Sequence, residues 1–491
     1  MINMQTEIKK HGEKHLEIKS CFPITHKDKD NSTLDFWLFL PGSLGINKQN
    51  YGASGFFPDI RQLTRFSPPR IPLDKIMDPE YELSPLTRII NIIDNAGLQK
   101  DVSSKRIIYE MRSLANIYSS EANDFISINF SPGFQKQFTQ IEPGIRKRFE
   151  DITSFLKKWR SLYSSFLNPN ITDKLREAYR WTDESISLTT EETLFLMHEH
   201  LSSFRKQLPL IDSIRELMNS EIAYRKNINV LYLQPDSPQE DIEHRIYRQS
   251  ILKKWTHSVL YLTKELSGSG KRWEHILAGF AAVVAMTIGV SATIIDQIIF
   301  PDDRIPWAVI IILTYIFRDR IKEILRKGLT KSFRRIISDE LVYLVDQATC
   351  RKIGKVKSQV LFLKRSKTPP EIQQLRYSRK NPFRNLLPEE DVIYFRRDFS
   401  INNKSLRENH SRLENLTDIF RFNLERILKE MDSPEKTIPS FAFSPPKKIS
   451  GKRIYHLYLI AGSAESDSEQ RQLYRLNVSR NGIEKIELVS F

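Results

Sequence analysis

Cysteine is almost missing from this chain: Cys21 and Cys350 are the only two, so neither a disulfide framework nor a cysteine-built zinc site is available. The amino terminus, Met1 to Lys10, has no apolar core of a cleavable signal. No internal repeat recurs. Catalytic motifs are scarce as well. Gly268-Ser269-Gly270-Lys271 imitates the end of a phosphate-binding loop, but Glu265 stands where the first glycine belongs and Arg272 where Ser or Thr should follow the lysine. His198 and His200 lie two apart, whereas a zinc-protease helix needs histidines four apart on one face. Neither Ser43 nor Ser54 has the paired glycines of a nucleophile elbow. No nucleophile, base, cofactor loop or metal-ligand set emerges, so no cofactor or metal is expected and the reading leans away from an enzyme.

Charge is missing where it matters most. From Ile276 to Ile295 no charged residue occurs, and apart from Asp296 the apolar stretch continues to Phe300. About 20 apolar residues at ~1.5 Å rise match a ~30 Å hydrocarbon core, so this run is expected to cross a bilayer as a helix. A second apolar run, Ile305 to Phe317, follows the turn Pro301-Asp302-Asp303-Arg304, which makes a hairpin. The second run covers only about 20 Å as a helix, so bilayer thinning, snorkelling arginines or a re-entrant hairpin would have to compensate.

Flanking charge orients that expected hairpin. Lys271 and Arg272 precede it; Arg318, Arg320, Lys322, Arg326, Lys327, Lys331, Arg334 and Arg335 follow it, with only Asp319 and Glu323 opposed. The positive-inside bias then places both termini in the cytoplasm and the eight basic residues at lipid head groups. Net charge is +15, and most of it falls after residue 270. An anionic leaflet is favoured over nucleic acid as the partner of residues 318–335 and 351–384.

Within the apolar hairpin, Ala281, Ala285, Gly289 and Thr293 recur every four residues and form a ridge of small side chains. Such a ridge serves either self-association between protomers or packing against the second segment. Asp296 is expected to pair with Arg304 near the turn rather than to act in a transport path.

Around this core the chain alternates in character. Leu16 to Phe22 and Leu34 to Leu40 read as strands, and Gly42 to Pro72 as a loop-rich stretch whose aromatics, Tyr51, Phe56 and Phe57, either pack or line a pocket. From Pro85 to Leu266 apolar residues recur at helical spacing, with a helix start at Asp236-Ser237-Pro238 and a stripe running through Leu252, Trp255, Val259, Leu262 and Leu266. A basic helix is expected from Ile321 to Leu341. Val356 to Leu363 and Val392 to Phe399 read as strands, Leu413 to Leu428 as a helix, and the last third ends in a three-stranded meander whose final hairpin turns at Asn481-Gly482.

The fold expected is therefore an α+β membrane protein: a mainly helical cytoplasmic N-terminal domain (1–235), a helix and hinge (236–272), a two-helix transmembrane hairpin (273–317), a basic juxtamembrane helix (318–350) and a small antiparallel-sheet C-terminal domain (351–491). Its expected location is the inner membrane, multi-pass. The function expected is an interaction or signalling scaffold that binds a protein partner and forms homo-oligomers. A pore-forming effector and a membrane-anchored enzyme without a recognisable motif are the alternatives.

Overall fold

The structure is a computed structural model. It describes residues 5–489 except 97–100, 131–137, 169–170, 205–207, 229, 231, 235, 268, 300–303, 334–338, 348–349, 378–388, 411, 414, 443 and 466–467. The chain opens with strands β1 (Gln5–His11), β2 (His15–Pro23) and β3 (Lys29–Leu40), a short helix α1 (Gly52–Asp59) and strand β4 (Ile60–Phe66). A helical body follows: α2 (Leu73–Met77), α3 (Pro85–Ala96), α4 (Asp101–Asn129), α5 (Phe138–Ser161), α6 (Tyr163–Phe166), α7 (Asp173–Phe204), α8 (Pro209–Asn227) and α9 (Gln239–His257). Strand β5 (Leu262–Leu266) leads into two long helices, α10 (Ser269–Ile299) and α11 (Arg304–Phe333), and β6 (Glu340–Asp346) leads out. Then come β7 (Lys352–Lys364), α12 (Pro370–Arg376), β8 (Asp391–Asn402), α13 (Asn403–Asn409), β9 (Asn415–Asn423) and α14 (Glu425–Lys429). Strands β10 (Glu435–Ser440), β11 (Lys447–Lys452), β12 (Tyr455–Glu465), β13 (Ser468–Ser479) and β14 (Gly482–Leu488) complete the chain.

Two antiparallel sheets pack face to face. One has eight strands in the order β14-β13-β12-β3-β8-β7-β6-β5, the other four in the order β1-β2-β9-β4. The sequence of β3 explains its central place: Leu34, Phe36, Leu38 and Leu40 alternate with Trp37 and Phe39, and both sets are buried. The first set meets Phe395 and Phe399 of β8 and, across the sandwich, Phe420 and Phe422 of β9; the second meets Val392, Ile460, Leu473 and Ile372 of α12. Phe36, Phe395 and Phe420 stack with centroids 5.2 to 6.4 Å apart, each pair adding about 0.5–1.5 kcal/mol beyond the apolar area it buries. The helical body has separate cores, one around Trp159, Phe155, Leu175 and Tyr179, another around Phe138, Leu194 and Ile214.

Several expected elements form differently. Leu413 to Leu428 is not a helix: its middle is β9, which sits between β2 and β4. Leu416, Phe420 and Phe422 reach the core and Ile419 is also buried, a nearly continuous apolar run that suits an inner strand as well as a helix. Helix α9 stops at His257, so Leu262 and Leu266 belong to β5 instead of extending its stripe. Helix α11 ends at Phe333, short of Leu341, which lies in β6. The terminal meander β12-β13-β14 is present but does not stand alone, because β12 pairs with β3 from the other end of the chain. Its last hairpin closes at Ser479 and Gly482, one residue earlier than expected, with Arg480 and Asn481 in the turn. Gly482 has φ +158° and a Cβ there would lie 2.5 Å from the Glu13 carbonyl oxygen, which accepts a hydrogen bond from the Ile483 amide (2.8 Å). Glycine is required by that close approach.

The expectation of a membrane protein is overturned. Among the described residues, no helix is long and apolar enough to cross a membrane, and the chain is a mixed fold with 52% of residues helical and 29% in strands. A transmembrane hairpin and a multi-pass inner-membrane location are not supported. The two helices form an antiparallel arm instead. They are inserted between β5 and β6, which pair from Leu262↔Asp346 to Leu266↔Val342 at the edge of the large sheet.

Candidate functional site

Two regions concentrate chemistry or unsatisfied surface: a polar joint between the helical body and the sheets, and the α10–α11 arm. The joint forms where α4 passes the end of β6 and the segment after α13. Asp346, the last residue of β6, is held by its own backbone, its amide donating to the Arg351 carbonyl (3.0 Å) and its carbonyl accepting from Cys350 (2.8 Å). His410 follows α13 and its amide donates to Leu406 (2.7 Å). Their side chains meet with Nε2 of His410 2.8 Å from Oδ2 of Asp346, both buried, while Nδ1 lies 3.2 Å from the Tyr109 hydroxyl on α4. A carboxylate only accepts, so Nε2–H donates to Asp346, and Nδ1 shares a hydrogen bond with the Tyr109 hydroxyl. Burial, with the charges of Glu110 and Asp346, pushes the Tyr109 hydroxyl up to about 12 against the opposing pull of Arg412. It stays protonated near neutrality.

Beside this relay the buried Glu110 carboxylate accepts from Arg412 on both oxygens and lies 3.5 Å from Arg88. Pro69, Arg88, Tyr109, Ser113, Asn116, Leu260, His410, Arg412 and Leu413 enclose a cavity of about 40 Å³. One water occupies ~30 Å³ of liquid, whereas ligand pockets run to several hundred Å³. The cavity has room for a water molecule but not for a metabolite. Asp-His-Tyr here acts as a polar rivet joining three segments. No spacing in the sequence pointed to it, since Tyr109 and His410 are 301 positions apart.

The residues singled out from sequence lie elsewhere. Ala281 and Ala285 are buried, and a Cβ on Gly289 would sit 3.5 Å from Thr314 Cγ2, so these three members of the ridge face α11. The side chains of Thr293, Asp296 and Arg304 lie outside the described residues, as do those of Lys327 and Lys331 and the whole of Arg334 and Arg335. Arg318 rests over the Tyr315 ring at 4.2 Å and approaches Asp319 at 3.7 Å; Arg320, Lys322 and Arg326 are exposed. Tyr51 and Phe56 are buried in the sandwich core, and Phe57 packs against it. Tyr51 donates to Asp59 (2.8 Å), and Phe56 packs on Phe395 and Phe422. His200 stacks on Phe130 and His198 lies against Arg215, which leaves neither poised for metal. Among the described residues no group of three or more His, Cys, Asp or Glu could hold a metal ion.

The arm carries what the joint lacks, an open apolar surface. Ile276, Phe280, Val283, Met286, Ile295, Ile298 (74% exposed) and Ile316 are all exposed on its surface. Between the helices a groove is floored by Ala285, Gly289 and Ala292 and walled by Ile288, Leu313, Thr314 and Phe317.

No family model, no curated protein and no solved structure matches this chain.

Proposed function

We propose that this chain is a self-associating interaction scaffold: an α+β body that holds out a two-helix apolar arm whose partner is the same arm of a second copy. The single observation that carries the reading is the concentration of large exposed apolar side chains on α10 and α11. Monomeric proteins rarely expose contiguous apolar patches beyond a few hundred Å², and larger ones mark interaction sites. The arm also has both halves of a self-complementary contact. Its small-residue groove lies on the same element as protruding side chains such as Phe280 and Met286, so a two-fold axis would set each arm's knobs into the other's groove. The enzyme reading has less support, because the polar joint encloses a water-sized space.

The test is the solution mass of the intact chain against two variants. In the first, residues 268–340 are replaced by Asn-Gly, which joins Ser267 to Leu341; these two already share a 2.8 Å hydrogen bond, so β5 and β6 can close as a plain hairpin. In the second, Phe280 and Phe317 are both replaced by lysine. The intact chain is expected to be a dimer or higher oligomer at micromolar concentration, and both variants monomers. An intact chain that stays monomeric, or that stays monomeric while coating anionic vesicles, would overturn the reading.

A further inference from the structure

Strands β10 and β11 pair only with each other, from Glu435↔Lys452 to Ser440↔Lys447, and stand apart from both large sheets. Every residue of the two strands except Ser440 is exposed. Isolated two-stranded ribbons are marginal in water, so such an arm gains from something that covers it. Its root is fixed: Arg453 pairs with Asp432 (2.7 Å), the Tyr455 hydroxyl donates to the same carboxylate (2.9 Å), and Lys452 reaches Glu484 (3.1 Å). Beyond the root the charge is of one sign. Lys436 lies on one face with Ile438 and Ile449, and Lys448 on the other beside Pro439, while Lys447 stands at the tip next to Phe441, which is 82% exposed.

We infer that the β10–β11 ribbon is a binding arm for double-stranded DNA, with Lys436 and Lys448 on phosphates either side of a groove and Phe441 at the leading end. Shape and charge both fit. Six residues span about 20 Å, and a two-stranded ribbon enters the ~12 Å wide major groove of B-form DNA. The deep, narrow major groove of A-form RNA excludes it. Lysines on both faces can meet the two phosphate walls at once, and an apolar tip can press against thymine methyl groups or a base step. The chain's net charge of +15 adds attraction at long range.

Fluorescence anisotropy of a labelled 20-base-pair duplex, titrated with the intact chain between about 50 and 300 mM salt, tests this. Affinity is expected to fall steeply with salt. Lys436→Glu with Lys448→Glu should weaken binding at least tenfold and flatten the slope of log K against log salt by about two, close to ~0.9 per lost phosphate contact. Phe441→Ser should weaken binding while leaving the slope in place. The arm-excised chain should bind as the intact one does, which separates this inference from the self-association reading. Equal binding by all ribbon variants, equal affinity for duplex RNA, or displacement of DNA by polyglutamate of equal charge would each overturn it.

Discussion

Between the two sheets, Arg397 of β8 and Asp418 of β9 form an ion pair that is about 1% exposed on both sides, and Thr64 of β4 donates to the second carboxylate oxygen (3.0 Å). A buried pair of this kind contributes little net stability, yet removing one partner strands the other charge, at a cost of about 3–5 kcal/mol. Asp418→Asn is therefore expected to lower the urea midpoint sharply, whereas Arg397→Met with Asp418→Leu should recover most of the loss. His257 makes a second prediction at this scale. Burial, reinforced by Arg65 and Lys253, drops its imidazole to about 4, and the Arg65 guanidinium donates to its Nδ1 at 3.3 Å. The unfolded chain then binds a proton near pH 6.5 that the folded chain refuses until about pH 4, so stability falls as pH drops through that window, by roughly 3 kcal/mol at 1.36 kcal/mol per unit. His257→Gln should flatten the denaturation midpoint between pH 6.5 and 4 relative to the native chain. Neither site was legible beforehand: Arg397 and Asp418 look like ordinary surface charges in sequence, and burial alone makes them otherwise.

At the scale of elements, the strands with clear alternation or tight turns were legible. Leu34 to Leu40, Val356 to Leu363, Val392 to Phe399 and the last three strands form where the pattern placed them, since side-chain period and turn residues are local properties. Leu413 to Leu428 was misread because apolar residues at 416, 419, 420, 422 and 424 satisfy a helical stripe and an inner strand equally well. Only its partners, β2 and β4, decide the matter, and they come from the far end of the chain. The arm was misread for a different reason. An unbroken apolar run records a demand for cover without saying what provides it. Ala281 is fully buried on the face turned to α11 and does not line the groove, so Ala281→Leu should overpack that contact by about 1–3 kcal/mol. Faster amide exchange across α10 and α11, with β3 and β8 unchanged, would register that loss.

For the molecule as a whole, the two ends of the chain share both sheets. Strand β2 pairs with β9, and β3 lies between β8 and β12, so the first 66 residues complete a structure whose other strands arrive after residue 260. No sequence pattern carries such pairings, because period and propensity are blind to partners hundreds of positions away. A fragment of residues 351–491 lacks β3 and is expected to give a collapsed ¹H–¹⁵N spectrum and rapid proteolysis. Residues 68–257, which keep both helical cores, should give dispersed resonances. Contacts of this sequence separation also imply slow folding, on the millisecond-to-second scale of other β-rich topologies.

The near absence of cysteine has one practical consequence. Cys350 is exposed just beyond β6, at φ +54°, a full strand's length from where the arm rejoins the sheet at Leu341, while Cys21 is partly buried and lies within hydrogen-bonding reach of Ser67. A single maleimide-linked nitroxide on Cys350 of the native chain would thus sit at the end of β6 opposite the arm, about 20 Å along the strand. Dipolar coupling between two such labels would measure how far apart neighbouring copies hold this end of the sheet, the end away from the arm.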